Sequence, residues 1–449
     1  MREYSQLKKL TIALLIGIGS FFVASMAFTE KEATLVGLIA FLVTLWTNEG
    51  LPLGVVSLLP IVLFPSFDIL NTSETSLNYS KSIIFLFLGG FLLAISVEKT
   101  GLHKVIANKM LSIFPSTARG IIYSLTITSG LLSSFLSNTT TTLLLMPLAL
   151  FLTQDKKLKM RFALAIAYGS SVGGIITPIG TPPNLILMGF MEDKGLAMIP
   201  FMKWVWMVIP LAILMFFVVS YVLSLGASDV KIQRDKTTNA MTTEQKKVSF
   251  CLLALVVLLF LNSPVKPYYN GLGLNEKGML LSFGLLMFLP PVNVLTWKDT
   301  KKIPYEIIFL FGAGFSIATA FTSSGLANSV ASYLLQLTTL PPILIMLCIA
   351  AIVTFTTEVT SNTALISMML PILYAVTEAS GLDTRLFLMI ATICASYAFM
   401  LPIATPPNAI AMSSGVVHVG TMAKYGFLFN LTGIFLVVII ASFLWINFI

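Results

Sequence analysis

The chain has 449 residues, of which 57% are hydrophobic and only 10% are charged, and its formal net charge at pH 7 is +8. Soluble domains carry roughly 25% charged residues, so this composition excludes an ordinary soluble protein and predicts a chain built for a lipid bilayer. Loops that flank membrane helices explain the excess of lysine and arginine, so we expect no nucleic acid partner. The three cysteines lack paired spacing, which indicates neither a disulfide framework nor a metal site.

The first predicted element is a helix within residues 1–32, whose basic start and apolar run imitate a signal peptide. Further apolar segments follow it, so we expect an uncleaved first helix. A spanning helix needs about 20 apolar residues. Eleven spans are predicted, at 10–27, 33–48, 51–65, 82–98, 162–190, 204–226, 248–263, 278–294, 305–323, 385–412 and 425–447.

The chain contains a copy of itself at a constant offset of 224 residues. The sequence S-N-T at 137–139 recurs at 361–363, and P-I-G-T-P-P-N at 178–184 recurs as P-I-A-T-P-P-N at 402–408. An ungapped register over roughly 100 residues indicates a duplicated core. Five predicted spans separate equivalent points, and an odd number inverts the second copy relative to the first.

The duplication divides the chain. We predict a first inverted repeat in 33–226, a cytoplasmic loop in 227–247 and a second inverted repeat in 248–449. With the N-terminus inside, cytoplasmic segments hold 20 of the 27 lysines and arginines. This imbalance predicts a multi-pass protein of the cell's inner (plasma) membrane, with a cytoplasmic N-terminus and an outside C-terminus.

Two segments are predicted to enter the membrane and return. Segment 120–154 has basic residues on both flanks, and each of its arms is shorter than a span. Its inverted counterpart is 341–377, which should enter from the opposite side. Serine, asparagine and threonine are preferred helix N-caps, so each S-N-T tip should begin a half-helix inside the membrane. Segments 99–119 and 324–340 are expected to be connecting loops.

Two of the predicted spans, 162–190 and 385–412, are interrupted by T-P-P-N. Successive prolines remove N–H donors and break a helix, and the carbonyls this exposes are tolerated only beside protein or a polar cavity. Either motif alone would more often be a cap or a kink, but both recur at the same separation of 43 residues. Four half-helix N-termini then favour an anion, and unwound carbonyls suit sodium.

The doubled S-N-T and T-P-P-N motifs resemble those of the divalent anion/sodium symporter family, the INDY-type dicarboxylate and citrate carriers. The resemblance implies an all-α polytopic membrane protein with eleven transmembrane helices and two opposed re-entrant hairpins. It also implies a homodimer with a scaffold domain and a transport domain that moves as an elevator. The expected function is sodium-coupled symport of small dicarboxylates such as succinate, malate and fumarate.

The resemblance also assigns residues. Substrate contacts are expected at Asn138, Thr139, Thr181, Ser361, Asn362, Thr363, Thr405 and Pro406. One sodium ion is expected among Ser133, Ser137, Asn138 and the carbonyl of Gly180. A second is expected among Thr357, Thr360, Asn362 and the carbonyl of Ala404. Sodium would be the co-transported ion, and no organic cofactor is expected.

The rival classes are an intramembrane enzyme, a channel and a proton-driven antiporter. A channel stays open as an alternative, although inverted hairpins around a closed midplane site favour alternating access. No H-E-x-x-H motif occurs and no aspartate lies within a predicted span, so no enzyme is expected. A sodium-independent dicarboxylate exchanger and a carrier of citrate, sulfate or arsenite stay open as alternatives. Glu358 is the one charged residue within either hairpin. It could bind a cation or carry a proton, but a structural role in holding the hairpin tip is favoured.

Overall fold

The computed structural model describes residues 2–227, 240–264, 268–334 and 340–448. These parts of the chain form helices and contain no β-strand element, which confirms the all-α prediction. Most of the predicted loop 227–247 lies outside the described residues. The helices of the first half are α1 Arg2–Ala24, α2 Glu30–Asn48, α3 Leu53–Ser66, α4 Thr72–Leu77, α5 Ser82–Thr100, α6 Leu102–Ile113, α7 Ala118–Ser133, α8 Asn138–Phe151, α9 Lys156–Gly174, α10 Pro182–Asp193 and α11 Phe201–Ser224.

In the described parts of the second half there are nine α-helices, interspersed with short 3-10 turns. They are α12 Thr243–Asn262, α13 Glu276–Leu286, α14 Tyr305–Ser324, α15 Leu326–Leu334, α16 Pro342–Thr356, α17 Asn362–Ser380, α18 Thr384–Ala395, α19 Pro406–Ser413 and α20 Val419–Phe443.

Six helical segments in the described parts of the chain are long and apolar enough to cross a membrane. They are Gln6–Ala24, Thr72–Thr100, Phe201–Ser224, Tyr305–Ser324, Asn362–Ser380 and Val419–Asn447. Several other predicted spans are shorter or carry charges near their ends; α2, for example, begins with two glutamates and a lysine. The count of eleven spans therefore stays a prediction.

The repeat is visible in the helix boundaries. Helices α8 and α17 begin 224 residues apart, and so do α10 and α19. The segments predicted as connecting loops contain helices α6 and α15, so the prediction of loops was wrong. Helix α6 buries Leu102, His103, Ala107 and Leu111, while Lys104 and Lys109 are exposed. Its short length and charges suggested a loop, although its apolar spacing is that of an amphipathic helix.

We divide the described helices into two groups, which contact each other where α14 packs on α10 and α17. In one, α5 packs on α13 and α3 on α14. In the other, α11 packs on α7, α9 and α20, while α16 packs on α18 and α20. Backbones approach closely inside both groups: a methyl group on Gly89 would lie 2.4 Å from the carbonyl oxygen of Leu280, and one on Gly173 would lie 2.1 Å from that of Gly130.

The two copies interlock around the interrupted helices. Helix α10 of the first copy packs on α17 and α18 of the second, and α19 of the second copy packs on α8 and α9 of the first. Each half-helix that follows a T-P-P-N break therefore lies against the hairpin arm that follows an S-N-T tip of the other copy. This exchange brings the two duplicated motifs into one region of the molecule.

Candidate functional site

The first hairpin turns between Ser133, where α7 ends, and Asn138, where α8 begins. Ser137 is the N-cap of α8, and its Oγ accepts a hydrogen bond from the Thr140 N–H at 3.1 Å. This is the local chemistry by which serine starts a helix. The hydroxyl of Ser133 donates to Oδ1 of Asn138 at 2.6 Å, so two predicted sodium ligands are in direct contact.

The second hairpin repeats this contact. Oγ1 of Thr357 lies 2.6 Å from Oδ1 of Asn362 and 2.9 Å from the carbonyl oxygen of Ala395, where α18 ends. The hydroxyl of Thr360 donates to the Thr356 carbonyl at 2.9 Å, so it is directed from the hairpin turn back to the end of α16. The hydroxyl–asparagine pair thus occurs in both copies, at the same offset of 224 residues.

The first helix break lies against the first hairpin tip. Helix α9 ends at Gly174, and a methyl group added to Gly174 would lie 2.5 Å from Oδ1 of Asn138. A methyl group on Gly180 would lie 2.4 Å from the Gly174 carbonyl oxygen. The structure therefore brings Ser133, Asn138 and Gly180 of the predicted first sodium site together around Gly174. Ser137 lines a small adjoining cavity of about 40 Å³ together with Gly180.

The second break presents its predicted residues differently. Thr405 is the N-cap of α19 and accepts a hydrogen bond from the Asn408 N–H at 3.4 Å, whereas the equivalent Thr181 makes no such bond. Thr181 and Thr405 are buried, as are Thr363 and Ala404. Pro406 is exposed.

The half-buried tip residues differ in how free their hydroxyls are. Ser137 is engaged by Thr140, through both its backbone N–H and its hydroxyl. Ser361, the N-cap of α17, makes no side-chain capping bond, and alanine occupies the position equivalent to Thr140. The hydroxyl of Ser361 is thus available to a ligand. Thr139 and Asn362 are also half-buried at the tips, and Oδ1 of Asn362 is already bonded by Thr357.

Glu358 is buried, and its carboxylate accepts three hydrogen bonds. The backbone N–H groups of Met400 and Leu401 donate at 2.9 Å each, and Nδ2 of Asn430 donates at 2.6 Å. Its partners therefore lie in the second helix break and in α20 rather than at the hairpin tip. In the first copy the equivalent residue is Ser134, whose carbonyl accepts a hydrogen bond from the hydroxyl of Thr177 in the first break.

Sequence reasoning missed three residues of this region: Gly174, Asn184 and Asn408. Both asparagines are completely buried, and each donates two hydrogen bonds to carbonyls of its helix break. The signal was present, because both asparagines end the repeated T-P-P-N motif. Gly174 gave a weaker signal, since glycine is common in membrane helices.

A family model described as a citrate transporter, CitMHS, matches residues 39–385. Together with the two relatives described next, this match shows that the chain belongs to the divalent anion/sodium symporter family. Membership of this family confirms the prediction of a transporter rather than an enzyme.

Close relatives extend over almost the whole chain. The sodium-dependent dicarboxylate transporter SdcS of Staphylococcus saprophyticus subsp. saprophyticus is 31% identical, with 93% of this chain and 86% of that protein covered. The protein of the same name from Staphylococcus aureus (strain USA300) is 30% identical, with 96% of this chain and 90% of that protein covered.

Two solved structures share the fold. Neisseria gonorrhoeae MtrF, described among antimetabolite efflux pumps, has a TM-score of 0.58 at 12% identity, and the match covers 83% of each chain. The Alcanivorax borkumensis YdaH transporter has a TM-score of 0.59 at 16% identity, with 83% of this chain and 86% of that chain covered. At these identities the likeness concerns the fold alone, and both structures are membrane transporters.

Proposed function

We propose that the chain is a sodium-coupled symporter of C4-dicarboxylates such as succinate, malate and fumarate. The observation that carries the proposal is the duplicated pair of hydroxyl and asparagine, Ser133 with Asn138 and Thr357 with Asn362, each beside a helix break. Hydroxyl, amide and carbonyl oxygens are suited to sodium, and helix N-termini favour a carboxylate. The sodium-dependent dicarboxylate transporters that resemble the chain support both assignments.

The sequence favours symport over exchange. Hairpins 120–154 and 341–377 contain no lysine, arginine or histidine, and neither do the two T-P-P-N motifs. A dianion that crosses the membrane needs its charge compensated, because an isolated charge in the apolar core is costly. Mobile cations would supply that charge here, and the repeat offers two equivalent sites for them. A sodium-independent dicarboxylate exchanger is the alternative.

Uptake of labelled succinate into empty liposomes separates these two functions. An inward sodium gradient should drive uptake without internal dicarboxylate, and an inside-negative potential should accelerate it if the cations outnumber the two anion charges. Asn362→Ala serves as the inactive control. Uptake that appears only in liposomes preloaded with dicarboxylate, with or without sodium, contradicts symport and supports exchange.

Competition decides the substrate class. Unlabelled malate and fumarate are expected to inhibit succinate uptake at concentrations close to that of succinate itself. Citrate, sulfate and arsenite should be weaker competitors. Stronger inhibition by one of these three would identify the chain as a carrier of that anion instead.

We further propose a homodimer in which a transport domain slides as an elevator. The group built on α7–α11 and α16–α20 would move past α2–α5 and α12–α14, and α6 and α15 would connect them. Glu192 of α10 bonds Lys277 of α13 at 2.5 Å, so this pair joins the two groups. Cysteines at these two positions, bridged by a bifunctional reagent in a cysteine-free background, should stop uptake reversibly while succinate still binds. Continued uptake after complete cross-linking would support local gating instead.

A further inference from the structure

Two prolines deprive the helix breaks of specific hydrogen-bond donors. In a continuous helix the Gly174 carbonyl would accept from the N–H four residues later, but that residue is Pro178, which has no N–H. The equivalent carbonyl of Ala398 faces the same loss, because Pro402 stands four residues after it. Both carbonyls lie inside the protein, where an unpaired backbone oxygen is unfavourable.

The asparagines that end the two motifs replace these donors. The side-chain amide of Asn184 bonds the carbonyl of Gly174, where α9 ends, and one carbonyl within the break. That of Asn408 bonds the two equivalent carbonyls, both of which lie within the second break because α18 ends at Ala395. The distances from Nδ2 are 3.3 Å to the Gly174 oxygen and 2.9 Å to that of Thr177, and 2.9 Å to the Ala398 oxygen and 3.0 Å to that of Leu401.

These contacts fix the orientation of each amide. Both hydrogens of the NH₂ group are used on carbonyl oxygens, so turning the amide over would place oxygen against oxygen. The other end, Oδ1, is buried and has no partner in either asparagine. Each side chain therefore holds its break through its two hydrogens alone. The same arrangement in both copies makes an accidental contact an unsatisfactory explanation.

The held carbonyls lie beside the residues proposed to bind sodium. Gly174 is in contact with Asn138, and Gly180 approaches the Gly174 carbonyl. In the second copy, Thr357 contacts the carbonyl of Ala395, three residues before the one that Asn408 holds. Without the amide, the carbonyls of Gly174 and Ala398 would lose this donor and become free to turn, whereas those of Thr177 and Leu401 would keep their backbone bonds.

We propose that Asn184 and Asn408 are positioning residues for the two sodium sites. They would act through the shape of the helix breaks rather than by touching the ion or the dicarboxylate. This inference rests on the proposed sodium coupling. Because each asparagine serves one copy, loss of either should weaken sodium binding and leave the other copy's break in place.

The test is the sodium dependence of succinate uptake by the full-length protein in liposomes. Asn184→Leu and Asn408→Leu keep the approximate volume and remove both donors. Each is expected to raise the sodium concentration for half-maximal uptake about tenfold, while the maximal rate at saturating sodium stays within about threefold of wild type. Asn184→Gln and Asn408→Gln, which keep both amide hydrogens, should recover most of the lost sodium affinity.

Asn262→Leu is the matched control. Asn262 is also a buried asparagine that holds a loop, through the backbone N–H and carbonyl of Leu274, but it lies in the other group of helices. It should leave the sodium dependence unchanged. If a leucine variant does not reach wild-type levels in the membrane, the alanine variant at the same position replaces it.

The outcomes separate this inference from the proposed function. If sodium stimulates wild-type uptake but both folded leucine variants keep the wild-type sodium concentration for half-maximal uptake, the positioning role is overturned and the proposed function is not. An equal rise in Asn262→Leu also overturns it, because the effect would then be one of general stability. Wild-type uptake that is indifferent to sodium overturns the proposed function and this inference with it.

Discussion

Gly174 is the residue at which the smallest chemical change should have the most specific effect. It ends α9 beside the first hairpin tip, and a methyl group there would lie 2.5 Å from Oδ1 and 3.0 Å from Nδ2 of Asn138. Ordinary van der Waals contact with a carbon begins near 3.4 Å. Gly174→Ala therefore forces the Asn138 side chain to retreat by about 1 Å.

The expected loss of affinity follows from the hydrogen bond that such a movement breaks. Asn138 is held by the Ser133 hydroxyl at 2.6 Å. A buried hydrogen bond of this kind contributes about 0.5–1.5 kcal/mol, which corresponds to roughly a two- to twelvefold change in an equilibrium constant. Because Asn138 is proposed to bind both sodium and the dicarboxylate, we expect the apparent affinity for both to fall by about this factor.

The assay is uptake of labelled succinate into liposomes, measured over a range of sodium concentrations and then over a range of succinate concentrations. Gly90→Ala is the matched control. Gly90 lies in α5 beside the same break, and a methyl group there would meet only the end of the Ile179 side chain, at 3.8 Å. This variant should transport like wild type.

An unchanged sodium half-saturation in Gly174→Ala would refute the reasoning, provided that the protein is present at wild-type levels. It would mean that Asn138 can move away from Ser133 without weakening the site. An equal loss in Gly90→Ala would also count against it, because the effect would then belong to helix packing in general.

Three further perturbations have expected outcomes. Asn138→Ala and Asn362→Ala should each reduce uptake by more than about tenfold, while the protein elutes as wild type in size-exclusion chromatography. Normal uptake in either variant would contradict the assignment of that asparagine to the binding site. Glu358→Leu leaves three buried donors unpaired, at about 1–3 kcal/mol each. Thermal unfolding in detergent should therefore show that the free energy of unfolding falls by roughly 3–9 kcal/mol. A fall of less than about 1 kcal/mol would contradict a role of Glu358 in holding the second helix break. Lys277→Gln breaks a partly exposed ion pair with Glu192 and should lower the free energy of unfolding by no more than about 1 kcal/mol in the same assay. A larger decrease would show that this ion pair contributes more to the contact between the two groups of helices than a surface pair does.

The parts of the fold that the sequence predicts are those set by local chemistry. The start of α8 follows from the capping bond of Ser137, whereas Ser361 occupies the N-cap position of α17 without such a bond. The starts of α10 and α19 follow from proline in the first turn. The duplication then doubles each signal. Assigning α6 and α15 to loops failed because a short amphipathic helix and a polar loop have similar composition, and only the spacing of the buried residues separates them.

The contacts between the breaks and the rest of the site could not be predicted in this way. Glu358 meets backbone groups 42 and 43 residues later and an asparagine 72 residues later. Asn184 reaches back 7 and 10 residues to carbonyls whose positions depend on how the chain leaves α9. No periodicity specifies such pairings, because they depend on how separate helices pack.

The two helix breaks are nevertheless chemically unequal, and this inequality has a consequence for sodium. In the first copy a neutral bond from Thr177 to the Ser134 carbonyl joins break and hairpin, whereas in the second copy the Glu358 carboxylate does so. Three N–H donors face the Glu358 carboxyl group, which favours its ionised form against the cost of burial, and Glu358 is adjacent in the chain to Thr357 of the second proposed site. For charges within about 15 Å, at an effective dielectric constant of 20, the attraction is at least about 1 kcal/mol, or about sixfold in affinity. We therefore expect Glu358→Gln to raise the sodium half-saturation about sixfold. This variant removes the charge and keeps one oxygen to accept from Met400 and Asn430, while its NH₂ group leaves the Leu401 N–H without an acceptor. The measurement is uptake at fixed succinate with varied sodium, and an unchanged value in a folded variant would leave Glu358 a purely structural residue.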